Sequence, residues 1–144
     1  MRGTAAETFG ARRLPEFAGL PLFLSAVAAG FPSPAEDYVD TLLDLNRLLI
    51  KNPAATFFMR VSGESMLGAG IHPHDVLVVD RSLKPRDGSV VVAVLDGEFT
   101  VKRLRKRQGG YVLEAENALF PPLVVTGEMT LEIWGVVTAV VHDL

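Results

Sequence analysis

From Thr56 onward the chain alternates short runs of β-branched and aromatic residues with polar or glycine-containing breaks. ATFFMRVS, DVLVVD, SVVVAVL, EFTVKRL, YVLEA, LVV and MTLEIWGVVTAVV each have the length and composition of a strand. Asp96-Gly97 joins the third run to the fourth, and Gly109-Gly110 the fourth to the fifth, both at hairpin positions. Seven closely spaced strands predict a compact, mainly β fold of twisted, partly barrel-like sheets.

The pattern before Thr56 is different. Ser33, Pro34 and Glu36 form a capping box with proline at the first helical position. Ala35, Tyr38, Val39 and Leu42 follow at helical spacing, which predicts one short helix over about residues 34 to 43. DLNRLLI is expected to continue as a turn or short strand until Asn52-Pro53 breaks it. Residues 1–29 have no steady period and are punctuated by Pro15, Gly19 and Pro21. They read as an extended or loosely ordered arm, leaving 30–144 as the β-rich domain.

Composition narrows the functional classes. Net charge is −3 over 144 residues, so no overall basic field argues for direct nucleic-acid binding. A local exception is RLRKRQ at 103–108, a solvated hairpin tip or else a contact for DNA or an acidic partner. There is no cysteine, which excludes disulfides, thiolate metal sites and a Cys nucleophile, and suits a reducing cytoplasm. No apolar stretch approaches the ~20 residues that span a bilayer, so no membrane association is expected.

Three segments carry candidate chemistry. In SAVAAGFPSP, small residues follow the apolar run LPLFL, as at the end of a signal peptide, with Ala26-Val27-Ala28 matching the A-x-A pattern. The preceding segment is long for such a leader and carries Glu7 and Glu16 among its arginines. The same Ala29-Gly30 pair can instead be a bond that the protein cuts itself. Ser65, in SGESM, lies in a glycine-flanked turn after a strand. Gly63 lets the backbone bend there, and the Ser65 and Glu64 N–H groups are suitable oxyanion donors; a plain turn serine fits the same residues. Lys102 shares a strand face with Thr100 and Leu104. Snorkelling to the surface is one fate for it. Burial would lower its pKa and make it a general base for a serine hydroxyl.

His72, His74 and Asp75 in IHPHD suggest a metal pair, but Pro73 intervenes and the spacing matches no defined zinc motif. The expectation is a β-turn with no metal and no cofactor. A Ser-His-Asp arrangement using Ser65 with His72 or His74 stays open, while His142 stands isolated in the sequence.

Taken in order, Ala29-Gly30, SGESM and EFTVKRL resemble the LexA/UmuD self-cleaving serine peptidase family. GFPSPAEDYVD, DLNRLLIKNPAATFF, GIHPHDVLVVD, VLDGEFTVKRL and WGVVTAVV are similar to its UmuD branch, and the likeness runs from about Leu22 to His142. The resemblance implies Ser65 as nucleophile, Lys102 as general base and Ala29-Gly30 as the scissile bond. It further implies a cytoplasmic homodimer whose self-cleavage is promoted by a RecA–single-stranded-DNA filament after DNA damage. The trimmed form would then join a UmuC-like subunit in a translesion DNA polymerase, meeting DNA through that polymerase. His74 departs from the family pattern, which commonly has glycine before the aspartate of that turn. The rival readings are a non-enzymatic binding module for RecA or a polymerase, and the regulatory domain of a LexA-like repressor. The repressor reading needs a DNA-binding domain that residues 1–29 are too few to supply.

Overall fold

The computed structural model describes residues 19–24, 26–32, 34–35 and 38–144. The chain divides into two compact units, 1–48 and 49–144.

In the first unit, β1 (Leu20–Phe23) pairs antiparallel with β2 (Val39–Leu43). Leu20 faces Leu43 and Leu22 faces Thr41, with a register shift before Phe23 meets Val39. The ladder is extended by the Leu24 N–H donating to the Tyr38 carbonyl at 2.7 Å.

This overturns the expected helix over 34–43, whose second half is strand. DLNRLLI, expected as a turn or strand, holds the helix instead, α1 (Leu45–Leu49). The cause is local. Asp44 Oδ1 accepts from the Asn46 N–H at 3.0 Å and its carbonyl from the Leu48 N–H at 3.0 Å, so Asp44 starts the helix as its N-cap. Val39 and Thr41 are β-branched and have β1 to pair with, and that pairing outweighs a helical spacing only two turns long. The proposed capping residues Ser33 and Glu36 lie outside the described residues.

In the second unit, all seven predicted strands form. They are β3 (Thr56–Arg60), β4 (Val76–Asp80), β5 (Val90–Leu95), β6 (Glu98–Arg107), β7 (Gly110–Glu114), β8 (Leu123–Val124) and β9 (Leu131–Val141). They make one antiparallel sheet in the order β3-β4-β9-β5-β6-β7-β8, so the last long strand inserts between β4 and β5.

The core follows from the strand pleat. On β5, Val92 packs into a cluster with Val61, Met66, Ile71, Leu77 and Val79, while Val91 and Ala93 pack with Leu104 and Leu113 on the opposite face. Both faces are therefore covered, which explains why SVVVAVL is apolar throughout rather than alternating.

Asp96 and Gly97 both have positive φ (49° and 84°), the conformation a two-residue hairpin of this type requires. At the next hairpin the turn is Gln108-Gly109 (φ 46° and 80°), because Arg107 pairs with Gly110. The turn thus sits one residue earlier than Gly109-Gly110, and Gly110 belongs to β7.

Asp80, at the end of β4, is buried. Hydrogen bonds from the Asn52 amide and from Ser82 hold its carboxyl below the usual carboxylate range.

Candidate active site

Ser65 and Lys102 are separated by 36 residues of chain, yet their side chains meet in the second unit. Gly63, at φ 87°, turns the chain after β3 in a conformation that disfavours any other residue. Met66, 2% exposed, anchors the turn in the core directly beside Ser65. The far side of the turn is tied to the 116–117 loop. The Glu116 N–H donates to the Ser65 carbonyl at 2.8 Å, and the Asn117 amide to the Glu64 carbonyl at 2.9 Å. Gly68 donates to the Glu116 carbonyl at 2.7 Å, and a Cβ there would stand 2.7 Å from that same oxygen.

Lys102 arrives from β6. Its Nζ lies 3.0 Å from Ser65 Oγ, 3.0 Å from Thr100 Oγ1 and 3.2 Å from the Val101 carbonyl oxygen. No carboxylate pairs with it among the described residues. Partial burial, with no opposing charge, pushes its ammonium below the ordinary lysine range. Three oxygens around Nζ accommodate either an ammonium donating to all three or a neutral amine. In the neutral form, two N–H groups can donate to Thr100 and the Val101 carbonyl, which leaves the lone pair facing the Ser65 hydroxyl.

Beside the pair is a cleft of about 170 Å³. Met59, Arg60 and Val61 line one side and Phe99, Thr100 and Val101 the other. Phe99 is braced edge-on by Trp134, with ring centroids 4.9 Å apart. Among the described residues, neither the Glu64 nor the Ser65 N–H donates to another backbone group. Nor does either donate to a side chain among the described residues, so two backbone donors are unpaired at the Ser65 turn.

Ala29 and Gly30 belong to the first unit, in the exposed connection between β1 and β2. A Cβ built on Gly30 would meet nothing within 4 Å.

The histidines are arranged differently from the sequence expectation. His142, isolated in the sequence, places its Nδ1 2.5 Å from Asp75 Oδ1, and its ring lies 4.6 Å from the His72 ring. The pairing of β4 with β9 does this, since Val76 faces Val141. His74 takes no part. It is exposed at φ 74°, the left-handed conformation that glycine adopts without strain. Burial raises the Asp75 carboxyl, but the His72 backbone N–H and the two imidazoles outweigh it and leave the group below the usual carboxylate range.

The basic run is largely neutralised from within. Arg103 pairs with Glu116 at 3.5 Å, Arg105 with Glu114 at 2.9 Å and Arg107 with Asp87 at 3.3 Å. It is a charge-laced hairpin rather than an open cationic surface. Sequence reading placed Thr100 on the lysine's face, but it missed Gly68, Glu116 and Asn117. Nothing in their spacing marks them, because their role depends on how a distant loop folds back.

A seven-stranded sheet, a serine lifted from a glycine turn and an unpaired lysine against it are the setting in which the comparisons with known proteins fall. The Peptidase S24-like family matches residues 21–138, and the chain belongs to that family, the serine peptidases of the LexA/UmuD kind. Within it the chain is UmuD-like. It is 48% identical to protein SamA of Salmonella typhimurium over 122 residues, 85% of this chain and 84% of that one. It is 45% identical to protein MucA of Escherichia coli over 133 residues, 92% and 88% of the two chains. The LexA repressor of Vibrio campbellii is 43% identical over 107 residues, 74% of this chain but 51% of the repressor.

Proposed function

We propose that this protein is a self-cleaving serine peptidase that cuts its own Ala29–Gly30 bond through Ser65 and Lys102. The observation that carries this reading is the 3.0 Å contact between Lys102 Nζ and Ser65 Oγ where partial burial lowers the lysine pKa. Neutral Lys102 takes the Ser65 hydroxyl proton as Oγ attacks the Ala29 carbonyl carbon. The oxyanion that forms is held by the Ser65 and Glu64 N–H groups. Lys102 returns the proton to the departing Gly30 nitrogen, the C–N bond breaks, and Ala29 is left as an acyl ester on Ser65. Water, deprotonated by Lys102, then hydrolyses the ester to give residues 1–29 and 30–144.

The chemistry suits a tethered substrate. Ala29 and Gly30 carry almost no side-chain bulk, and a segment of the same chain, or of a second copy bound to it, supplies a high effective concentration. The β6 edge from Glu98 to Lys102 lies beyond the reach of β7, which pairs only from Arg103 onward. Among the described residues no strand pairs with this edge, and the backbone groups that face away from β5 are available to an extended segment.

In this reading, residues 1–29 are the arm removed and 30–144 the mature domain. A RecA–single-stranded-DNA filament stimulates the cut during the SOS response to DNA damage. The trimmed protein, as a cytoplasmic homodimer, then serves as accessory subunit to a UmuC-like translesion polymerase. Leu20, Phe23, Leu24, Val39 and Leu42, each more than half exposed, support association of the first unit with another protein surface. Among the described residues no helix is long and apolar enough to cross a membrane. Incubating purified protein with and without an activated RecA filament, and weighing the products, tests the reading. Fragments ending at Ala29 and beginning at Gly30 are expected, with faster conversion when the filament is present.

A further inference from the structure

His72, Asp75 and His142 meet where β4 begins and β9 ends, in a cluster that the peptidase chemistry does not use. One ligand atom from each of the three lies within 4.8 Å of the others. Asp75 is 3% exposed. One of its oxygens meets His142 Nδ1 at 2.5 Å, and the other stands 3.6 Å from His72 Nδ1 while accepting the His72 backbone N–H at 2.8 Å. His72 Nδ1 is itself shielded from solvent and has no hydrogen-bond partner among the described residues. A buried, unpartnered imidazole nitrogen facing a carboxylate is costly unless something else occupies the space between them.

We propose that His72, Asp75 and His142 bind one divalent cation of the zinc type. Two imidazole nitrogens and a carboxylate oxygen suit Zn²⁺, Co²⁺ or Ni²⁺ rather than Mg²⁺ or Ca²⁺, which prefer all-oxygen shells. Bonds of ~2.0–2.2 Å to each ligand require neighbouring donor atoms to sit about 3.3 Å apart. The His142–Asp75 contact must therefore open by somewhat under ~1 Å, and the other ligand atoms, already within 4.8 Å of one another, close in on the ion. The ion takes the place of the proton between Asp75 and His142, which passes to His142 Nε2, and because the ligands bind in their deprotonated forms, binding weakens on acidification. The His72 backbone N–H stays on the second Asp75 oxygen as the outer-shell contact that orients the carboxylate. With three protein ligands, a water completes a tetrahedral shell.

The placement gives the site a structural consequence. The turn of residues 72–75 hydrogen-bonds Val61 in both directions, His74 N–H to Val61 O at 2.8 Å and Val61 N–H to Asp75 O at 2.9 Å. An ion there clamps the end of β9 to that turn and, through it, to the segment leading to Ser65.

The test uses tag-free, chelator-treated full-length protein, titrated with Zn²⁺ by calorimetry and with Co²⁺ by visible absorption. One ion per chain is expected, with a Co²⁺ spectrum of four- or five-coordinate type and a melting temperature that rises with Zn²⁺. His72→Ala and His142→Ala should each weaken binding by more than about 100-fold, beyond the ~10–100-fold that the loss of an outer-shell contact typically costs. His74→Gly should bind as wild type does. Both imidazoles are partly exposed, and melting in chelator checks that the alanine variants fold; His142→Gln serves as a second variant that keeps a side chain of similar size. Absence of binding, or binding that the His72 and His142 variants leave unchanged, overturns the proposal.

Discussion

Lys102 Nζ and Ser65 Oγ stand 3.0 Å apart, and the lysine's other two polar contacts, Thr100 Oγ1 and the Val101 carbonyl, are both acceptors. Those two acceptors decide which way a neutral amine points its lone pair. On the proposed mechanism Thr100 is therefore a positioning residue for Lys102. Thr100→Val is expected to slow self-cleavage by about tenfold, the worth of one hydrogen bond at the upper end of its ordinary range. Thr100→Ser should restore most of the rate. Time courses of product mass check this, and equal rates for the valine and serine variants contradict it.

Folding lowers the Lys102 pKa, so the unfolded chain holds that proton more tightly than the folded one. Burial of the ammonium therefore costs stability in full below the lowered value. The cost is relieved as pH rises from there toward the ordinary lysine value near ~10.4. Lys102→Met removes it. The variant should be more stable than Ser65→Ala protein at about pH 7, and the gap should shrink as pH approaches ~10. Denaturant unfolding at both pH values checks this; a gap that widens with pH contradicts it.

Gly68 leaves no room for a side chain, since a Cβ would meet the Glu116 carbonyl oxygen at 2.7 Å. Backbone must move to accept one, and the loop that moves is the one tied to the Ser65 and Glu64 carbonyls. Gly68→Ala is expected to cost about 1–3 kcal/mol of stability, the usual range for overpacking, and to slow cleavage in conditions where the protein remains folded. Unfolding and cleavage measured on the same preparation check both parts.

His74 holds φ 74° at a turn where glycine pays no steric cost. Its structural contacts are made by its backbone, the N–H to Val61 and the carbonyl accepting from Arg60 at 2.8 Å, so glycine keeps them. His74→Gly should stabilise the protein by about 0.5–1 kcal/mol, the relief of left-handed strain less the added freedom of the unfolded glycine. A lower unfolding midpoint than wild type contradicts this.

The strands from β3 to β9 were legible because β-branched runs alternate with turn residues whose conformational demands are strong, such as Asp96-Gly97. The helix was misplaced because Tyr38, Val39 and Leu42 satisfy a helical period over so few residues that a strand fits equally well. What decided it was a partner strand at Leu20–Phe23 and an N-cap at Asp44, and only the second has a local signature. Ser65 and Lys102 could be singled out by residue type and setting, but not their contact, which depends on how β6 crosses the sheet. His142 is the opposite case. Only the register of β4 against β9 brings it to Asp75, and a register is not readable from either strand alone.

The central claim is that Ser65 and Lys102 of this chain cut the bond between Ala29 and Gly30. Intact-mass analysis of wild type, Ser65→Ala and Lys102→Ala after incubation at alkaline pH, where the lysine is neutral, tests it most directly. The account predicts a wild-type product beginning at Gly30, forming faster as pH rises, and none from either variant. A cut before Gly30 in Ser65→Ala protein, or no cut in wild type even with an activated RecA filament, contradicts it.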